Sequence, residues 1–389
     1  MQSVALGWLV WRHTHSVLAV SLITTCISIA MCLCPVGGIL ADRYNRRKLL
    51  FIALAVAQVL AVVLALFTFA DHFNLYVILS LAFGDGLVSA LEYPTRQAFN
   101  RDLVEDDQIP SLIGIYSTVD TAAFLIGQAA GGILIARLSG HGEAACFMVN
   151  SVACLASFWA LSVIPHSITA KSLTPSEDET KARAMSTVEC LRFAFSNPVF
   201  TTFMLRTSIL VFFGNRCTPI LPAYVGQILH AGPDVNGFLT AALTVGSIIG
   251  ILYTGSMGSS DSLLRWSGLA LLLLPLTLIF FACAPSVPVA LVSYTLLAFF
   301  IAVTNNSCLI GTQLNTPRLL QGRILSWRAT LTLGIDLVMT PLTGYVATLI
   351  GIRITLLGAA SFCALLTIAT IFVSRLGLTK NPRNLDPQS

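Results

Sequence analysis

The sequence predicts an all-α protein embedded in a bilayer, with its helices in two sets. Three observations carry that reading. Of 389 residues, 56% are apolar and only 10% are charged, and the mean hydropathy is +0.82. A water-soluble domain carries roughly 25% charged residues. The apolar residues come in continuous runs of the ~20 that a span requires, rather than alternating as barrel strands do. One polar stretch, 166–198, divides the runs into two groups. Lipid offers the backbone no hydrogen bonds, so continuous spans of this kind are helices.

Taken in order, the chain opens on Met1–Trp11, a short apolar run that stops at Arg12. Eleven such residues rise about 16 Å, against a hydrocarbon core of roughly 30 Å. The first helix is therefore read as incomplete: either the native chain begins upstream, or this is a fragment. Full spans are expected at Val17–Val36, Leu49–Phe69, Asn74–Tyr93, Ser111–Ala136 and Ala144–Ile164. After the divider they are expected at Val199–Gly226, Val235–Met257, Leu263–Ala284, Val287–Leu309, Ile324–Ile350 and Ile352–Val373. The expected domains are a first bundle at 1–165, a linker at 166–198, a second bundle at 199–374 and a tail at 375–389. Within the linker, Lys171–Ala184 mixes Ser, Thr, Pro and both charge signs, the composition of a solvated tether. Met185–Phe195 is a candidate surface helix.

Several chemistries find no support. The ten cysteines sit mostly inside apolar runs and form no CxxC pair; Cys32-Leu-Cys34 alone makes no metal site. No HExxH, GxSxG or phosphate-cradling glycine loop is present. The expectation is no enzyme, no metal and no cofactor. The net charge of +4 resides in loops and does not call for nucleic acid. Those loops orient the chain. With the loop around Arg43 placed in the cytoplasm, 17 of the 22 Lys and Arg fall on that side. Three fall opposite, and Arg206 and Arg216 lie inside a span. This is the positive-inside asymmetry, and it also puts linker and tail in the cytoplasm.

The densest charge cluster is Gly38-Ile-Leu-Ala-Asp42-Arg43-Tyr-Asn-Arg46-Arg47-Lys48, a basic turn between two spans. It resembles the signature loop between helices 2 and 3 of the major facilitator superfamily. Gly38, Leu40, Ala41, Asp42, Arg43, Arg46 and Arg47 match, and Asn45 stands where that pattern has a second Gly. Asn is expected to tolerate the left-handed backbone there. Gly114, Ala123, Gly127-Gln128 and Gly131-Gly132 resemble the superfamily's antiporter motif, with Ala123 and Gln128 departing from it. Small residues at this spacing let helix backbones approach closely. Pro94-Thr-Arg96-Gln-Ala through Leu103-Val104, and Gln313 through Pro317 to Gly322-Arg323-Ile-Leu-Ser326, are similar to loops of the enterobactin exporter branch and related drug and siderophore efflux proteins. Leu221-Pro222 fits the same branch.

The resemblance implies the major facilitator fold, two six-helix bundles with substrate bound between them near the midplane. It implies a secondary transporter working by alternating access, with Gly38, Asp42, Arg43, Arg46 and Arg47 as a cytoplasmic gate. The expected activity is proton-coupled export of a small amphipathic molecule, a drug-like compound or a siderophore, by a monomer in the inner membrane. An importer or symporter on the same fold, a non-transporting receptor and an inactive fragment are the alternatives. The expected partners are a small-molecule substrate, protons and the lipid bilayer.

Charges inside spans are the remaining signal, since each costs roughly 2.5–3.5 kcal/mol at mid-membrane and so faces a cavity or a partner. Asp85, Asp120, Arg216 and Asp336 lie nearest mid-span. Asp120 is the first choice for the proton carrier and Asp85 the second; internal ion pairing is the competing role for both. Arg216 and Asp336 are an equally good pair for each other. Glu92 follows Asp85 on the same helix face but nears the loop, where it can pair or snorkel. Arg206 lies about two turns into its span. Asn150, Asn215, Asn305 and Asn306 are uncharged candidates to hold substrate or to bond neighbouring helices, the latter worth roughly 0.6 kcal/mol each.

Overall fold

Each long apolar run becomes helix, and no strand occurs among the described residues of this computed structural model. Those residues are 1–71, 73–102, 109–138, 140–163, 198–214, 217–257, 259–316 and 318–380. Before the linker lie α1 (Gln2–Thr14), α2 (Val17–Met31), α3 (Cys34–Arg43), α4 (Arg46–Phe69), α5 (Leu75–Asp102), α6 (Ile109–Arg137) and α7 (Gly142–Val163). After it come α8 (Pro198–Ile209), α9 (Leu221–Gln227), α10 (Pro233–Gly255), α11 (Ser260–Ala282), α12 (Val287–Leu314), α13 (Arg318–Ile350) and α14 (Ile352–Lys380). Ten helices among the described residues are long and apolar enough to cross a membrane, α2 and α3 together making one.

Local chemistry sets the ends. Ser16, Asn45 and Ser259 cap α2, α4 and α11, accepting from the amides of Ala19, Lys48 and Ser262 at 3.3, 3.2 and 3.3 Å. His15 closes α1 in the left-handed region, at φ 48°. Inside the spans, hydroxyls satisfy themselves on the preceding turn: Thr25 donates to Ser21 O at 2.9 Å and Thr367 to Cys363 O at 2.7 Å.

Three expectations are corrected. The span Val199–Gly226 is not one helix. It breaks after α8 into a π-helical turn, Leu210–Gly214, then a 3₁₀ turn, Thr218–Ile220, before α9 resumes. Pro219 lies in the 3₁₀ turn, and Pro222 sits in the first turn of α9, where its missing N–H costs no intrahelical bond. The basic turn is shorter than expected, since Gly38–Arg43 continue α3 and Arg46 already begins α4. Asn45 is extended, at φ −62° and ψ 111°, and serves as a helix cap rather than a left-handed turn residue. Helix α14 runs to Lys380. The linker candidates 171–184 and 185–195 lie outside the described residues.

The helices pack as two compact units. One takes in Met1–Leu173, Thr218–Thr244 and Leu337–Ile350; the other takes in Thr174–Cys217, Val245–Asp336 and Gly351–Ser389. In the first, α4 shows how the bilayer inverts a soluble pattern. Leu50, Ala53, Ala61 and Leu64 are buried on one face, while Ile52, Val56, Val59 and Leu66 are exposed on the other. Helix α1 runs antiparallel to α7, pinned by Arg12–Glu143 at 3.2 Å and, two to three turns away, by Asn150 on Gln2. Helix α5 seats closely on α2 at Gly86, where an added Cβ would stand 2.7 Å from the Ala30 Cβ. In the second unit, Phe203, Leu263 and Cys308 form a buried cluster joining α8, α11 and α12. Phe281 and Tyr294 stack at 4.7 Å between α11 and α12.

Candidate functional site in a mid-span polar layer

Asp85 stands at the middle of the span Leu75–Arg96, half-buried beside the Gly86 contact with α2. The Gln2 side chain is a polar neighbour of its carboxylate. Gln2 Oε1 in turn accepts from Asn150 Nδ2 at 2.5 Å. The next residue of α7, Ser151, accepts at Oγ from Gln58 Nε2 at 2.5 Å. Gln58 is mid-span in α4, and Asn150 and Ser151 are near mid-span in α7. One polar layer thus crosses α5, α1, α7 and α4 at the depth where unpaired polar groups cost most. Gln58 Oε1 is buried there without a partner. Nearby, Gln128 Nε2 donates to Ser3 Oγ at 3.0 Å, tying α6 to α1.

Asp120 is placed differently. It lies near the start of the span Thr118–Arg137, is exposed, and makes no hydrogen bond or ion pair among the described residues. It is not among the electrostatic partners of Asp85, which include Glu92 on the same helix and Cys154 on α7. Glu92 pairs with Arg96 one turn on, at 3.1 Å. Asp336 is half-buried on α13, while Arg216 and Asn215 lie outside the described residues. Asn305 Oδ1 accepts from Arg328 Nη2 at 2.7 Å, and Asn306 bonds its own helix at Ala302 O.

Arg206 is 4% exposed in the second unit, and no carboxylate pairs with it among the described residues. Its Nη1 donates to Leu264 O and, at 2.7 Å, to Ser267 Oγ. A Cβ at Gly268 would stand 2.9 Å from Nη2, so glycine makes the room this side chain occupies.

The residues expected to form a gate separate. Arg43 is exposed, and Arg46 Nε donates to Ala41 O at 3.3 Å. Arg47 is buried at 5% exposure and clamps the last turn of α7, donating from Nη2 to Leu161 O at 3.1 Å and Ser162 O at 3.0 Å. Its guanidinium lies 5.7 Å from the Phe51 ring centre. A cation at the carbonyl end of a helix also meets the negative pole of the macrodipole. An added Cβ at Gly38 would touch nothing, and Asp42 ends α3 next to Arg43. The glycines of α6 divide as well. Gly127 and Gly131 face Met1, whereas an added Cβ at Gly132 would lie 2.8 Å from the Gly237 Cα of α10.

Sequence reasoning missed Gln2, Gln58 and Ser151. The available signal was an amide inside an apolar run, as at Gln58, the lone amide between Lys48 and Phe69.

The family model for transmembrane secretion effectors matches residues 1–388. An uncharacterised transporter of major facilitator type, YfiS of Bacillus subtilis, is 28% identical over 244 residues, 61% of this chain but only 55% of the relative. The multidrug efflux pump Tap of Mycolicibacterium fortuitum is 25% identical, covering 96% of this chain and 91% of Tap. The enterobactin exporter EntS of Shigella boydii is 26% identical, covering 80% and 72%. Among solved structures, a bacterial homologue of the human lysosomal transporter Spinster, in an inward-facing, unoccupied conformation, superposes with a TM-score of 0.75. It is 13% identical and the match covers 100% of this chain and 96% of that one, a likeness of fold alone.

Proposed function

The chain belongs to the transmembrane secretion effector family of major facilitator transporters, and we propose that it exports a small amphipathic molecule in exchange for protons. The observation that carries the coupling is Asp85, a mid-span carboxylate whose electrostatic partners among the described residues are Gln2, Glu92 and Cys154, with no cation among them. Such a group can take up and release a proton without breaking an ion pair. Asp85 takes precedence over Asp120, which is exposed and makes no hydrogen bond or ion pair among the described residues. Export is supported by relatives named as a multidrug efflux pump and an enterobactin exporter. The 17-of-22 charge asymmetry supports an inner-membrane placement with the Arg43 end, linker and tail in the cytoplasm. In this reading Asp42 and Arg43 serve the gate, Arg46 braces the turn, and Arg47 anchors α4 to α7.

The test uses everted vesicles, an imposed proton gradient and ethidium as a fluorescent amphipathic probe. Asp85→Asn abolishes uphill accumulation but preserves counterflow exchange, while Asp120→Asn retains both. Uphill pumping by the Asp85→Asn protein would refute the assignment. Accumulation in right-side-out vesicles alone would instead favour an importer.

A further inference from the structure

Inside the spans of the second unit, two arginines face a shortage of negative charge. In α8, α11, α12, α13 and α14 the acidic residues are Asp261, in the first turn of α11, and Asp336. Arg206 and Arg328 donate instead to neutral groups. Arg206 holds Leu264 O and Ser267 Oγ of α11. Arg328 Nη2 reaches across from α13 to α12, to Asn305 O at 3.2 Å and Asn305 Oδ1 at 2.7 Å. Neither makes an ion pair among the described residues, and Asp336 is about 12 Å further along α13 than Arg328.

The Arg328–Asn305 pair keeps donors without acceptors. Arg328 Nε is buried and has no partner, and Nη1 makes no hydrogen bond among the described residues. A guanidinium only donates, so Asn305 turns Oδ1 toward it and Nδ2 away. Asn305 is exposed, and its Nδ2 makes no hydrogen bond among the described residues. It lies nine residues before the end of α12, about 13 Å inside the helix. At that depth an exposed amide beside a cation belongs in a watered cavity rather than against hydrocarbon. Arg206 adds a second positive charge nearby: Phe203, one turn before it on α8, packs on Cys308, one turn from Asn305.

Resting on the reading of this chain as an exporter, we propose that Arg328 and Asn305 form an oxyanion subsite, and that the preferred cargo is an amphipathic acid. A carboxylate, sulfonate or phosphate takes the donors left over, Arg328 Nη1 and Asn305 Nδ2. The acid brings the counter-charge that the helices omit, and the planar guanidinium suits two parallel bonds to it. Asn305 also holds Nη2, which fixes the plane of that fork. Trp327 and Leu331, one turn apart and both exposed, offer adjoining apolar surface for the rest of the molecule. Ethidium carries no acid and does not engage the subsite, so its efflux reports coupling separately.

The test is equilibrium binding to the full chain in phosphatidylcholine nanodiscs near neutral pH, read by fluorescence anisotropy. The probes are dansylglycine and its uncharged amide, which share one apolar body. Wild type binds the acid at least roughly tenfold more tightly than the amide. Arg328→Gln brings the acid down to the affinity of the amide. Arg328→Lys keeps part of the preference, as a point charge without the fork does, and Asn305→Leu weakens the acid but not the amide. Should Arg328→Gln fail to fold, the wild-type ratio and Asn305→Leu still decide. Equal binding of the two probes by wild type, binding of neither, or a preference that survives Arg328→Gln overturns the subsite and leaves the export reading standing. Loss of the preference when phosphatidylglycerol replaces half the lipid assigns the donors to a lipid headgroup and overturns the cargo assignment. A wild type that shows the ratio yet pumps no probe in the vesicle assay keeps the oxyanion subsite and overturns export.

Discussion

Arg47→Met tests whether the signature arginine is an anchor within its own helix bundle. The wild-type guanidinium donates to Leu161 O and Ser162 O at 3.1 and 3.0 Å, in the last turn of α7. Carbonyls in a last turn lack a following intrahelical donor. Each charge-assisted bond is worth roughly 1.5–3 kcal/mol. Against that, truncation returns the desolvation cost of a buried cation, and Met fills most of the volume. The net loss is about 2–4 kcal/mol, or roughly 1.5 to 3 decades in the unfolding constant. Chemical unfolding of purified protein in mixed micelles measures it, with hydrogen exchange at the end of α7 as a local readout. Arg47→Lys keeps the charge but loses the planar fork, and falls between. An Arg47→Met protein that unfolds at the wild-type midpoint, with unchanged exchange near Leu161, would refute the anchor.

Arg206→Met has the opposite expectation. Leu264 O keeps the Ser267 hydroxyl bond at 3.1 Å, so removing the guanidinium orphans neither group, and stability stays within about 1 kcal/mol in the same unfolding assay. Gly132→Val drives two methyls into the Gly237 backbone and costs about 1–3 kcal/mol by overpacking; an unchanged melting temperature removes that crossing as a tight point. If Asp42 serves the proposed gate, Asp42→Asn lowers turnover more than probe affinity, because a gate acts on the balance of states; transport at the wild-type rate with normal expression counts against it.

The spans were legible because bilayer thickness fixes their length and lipid forbids interruptions that water would tolerate. The break after Ile209 was less so. Apolar composition does not distinguish a π turn from an α turn, and proline is no marker here, since Pro94, Pro275 and Pro341 lie inside continuous helices. Within the candidate site, Asp85 was visible because a carboxylate in an apolar run is costly. Its partners were not, since Gln2 and Asn150 are 148 positions apart and an uncharged amide carries little penalty to flag it. The proposed preference for Asp85 over Asp120 rests on burial, which spacing cannot supply. Arg47 was legible as part of a motif, but its partner is 114 positions away, and the motif's name says gate where the geometry adds a clamp.

The two faces of α4 face opposite kinds of selection. Ile52, Val56, Val59 and Leu66 touch only a fluid that adapts to any shape, so their identity is interchangeable among apolar residues and volume is nearly neutral. Ala53 and Ala61 touch neighbours that do not adapt, so there a single added methylene is resisted while polarity matters less than size. A saturation scan of this helix would separate into two alphabets, one restricted by chemistry and one by volume. The position where they change over traces the boundary between lipid and protein without any need to see the membrane.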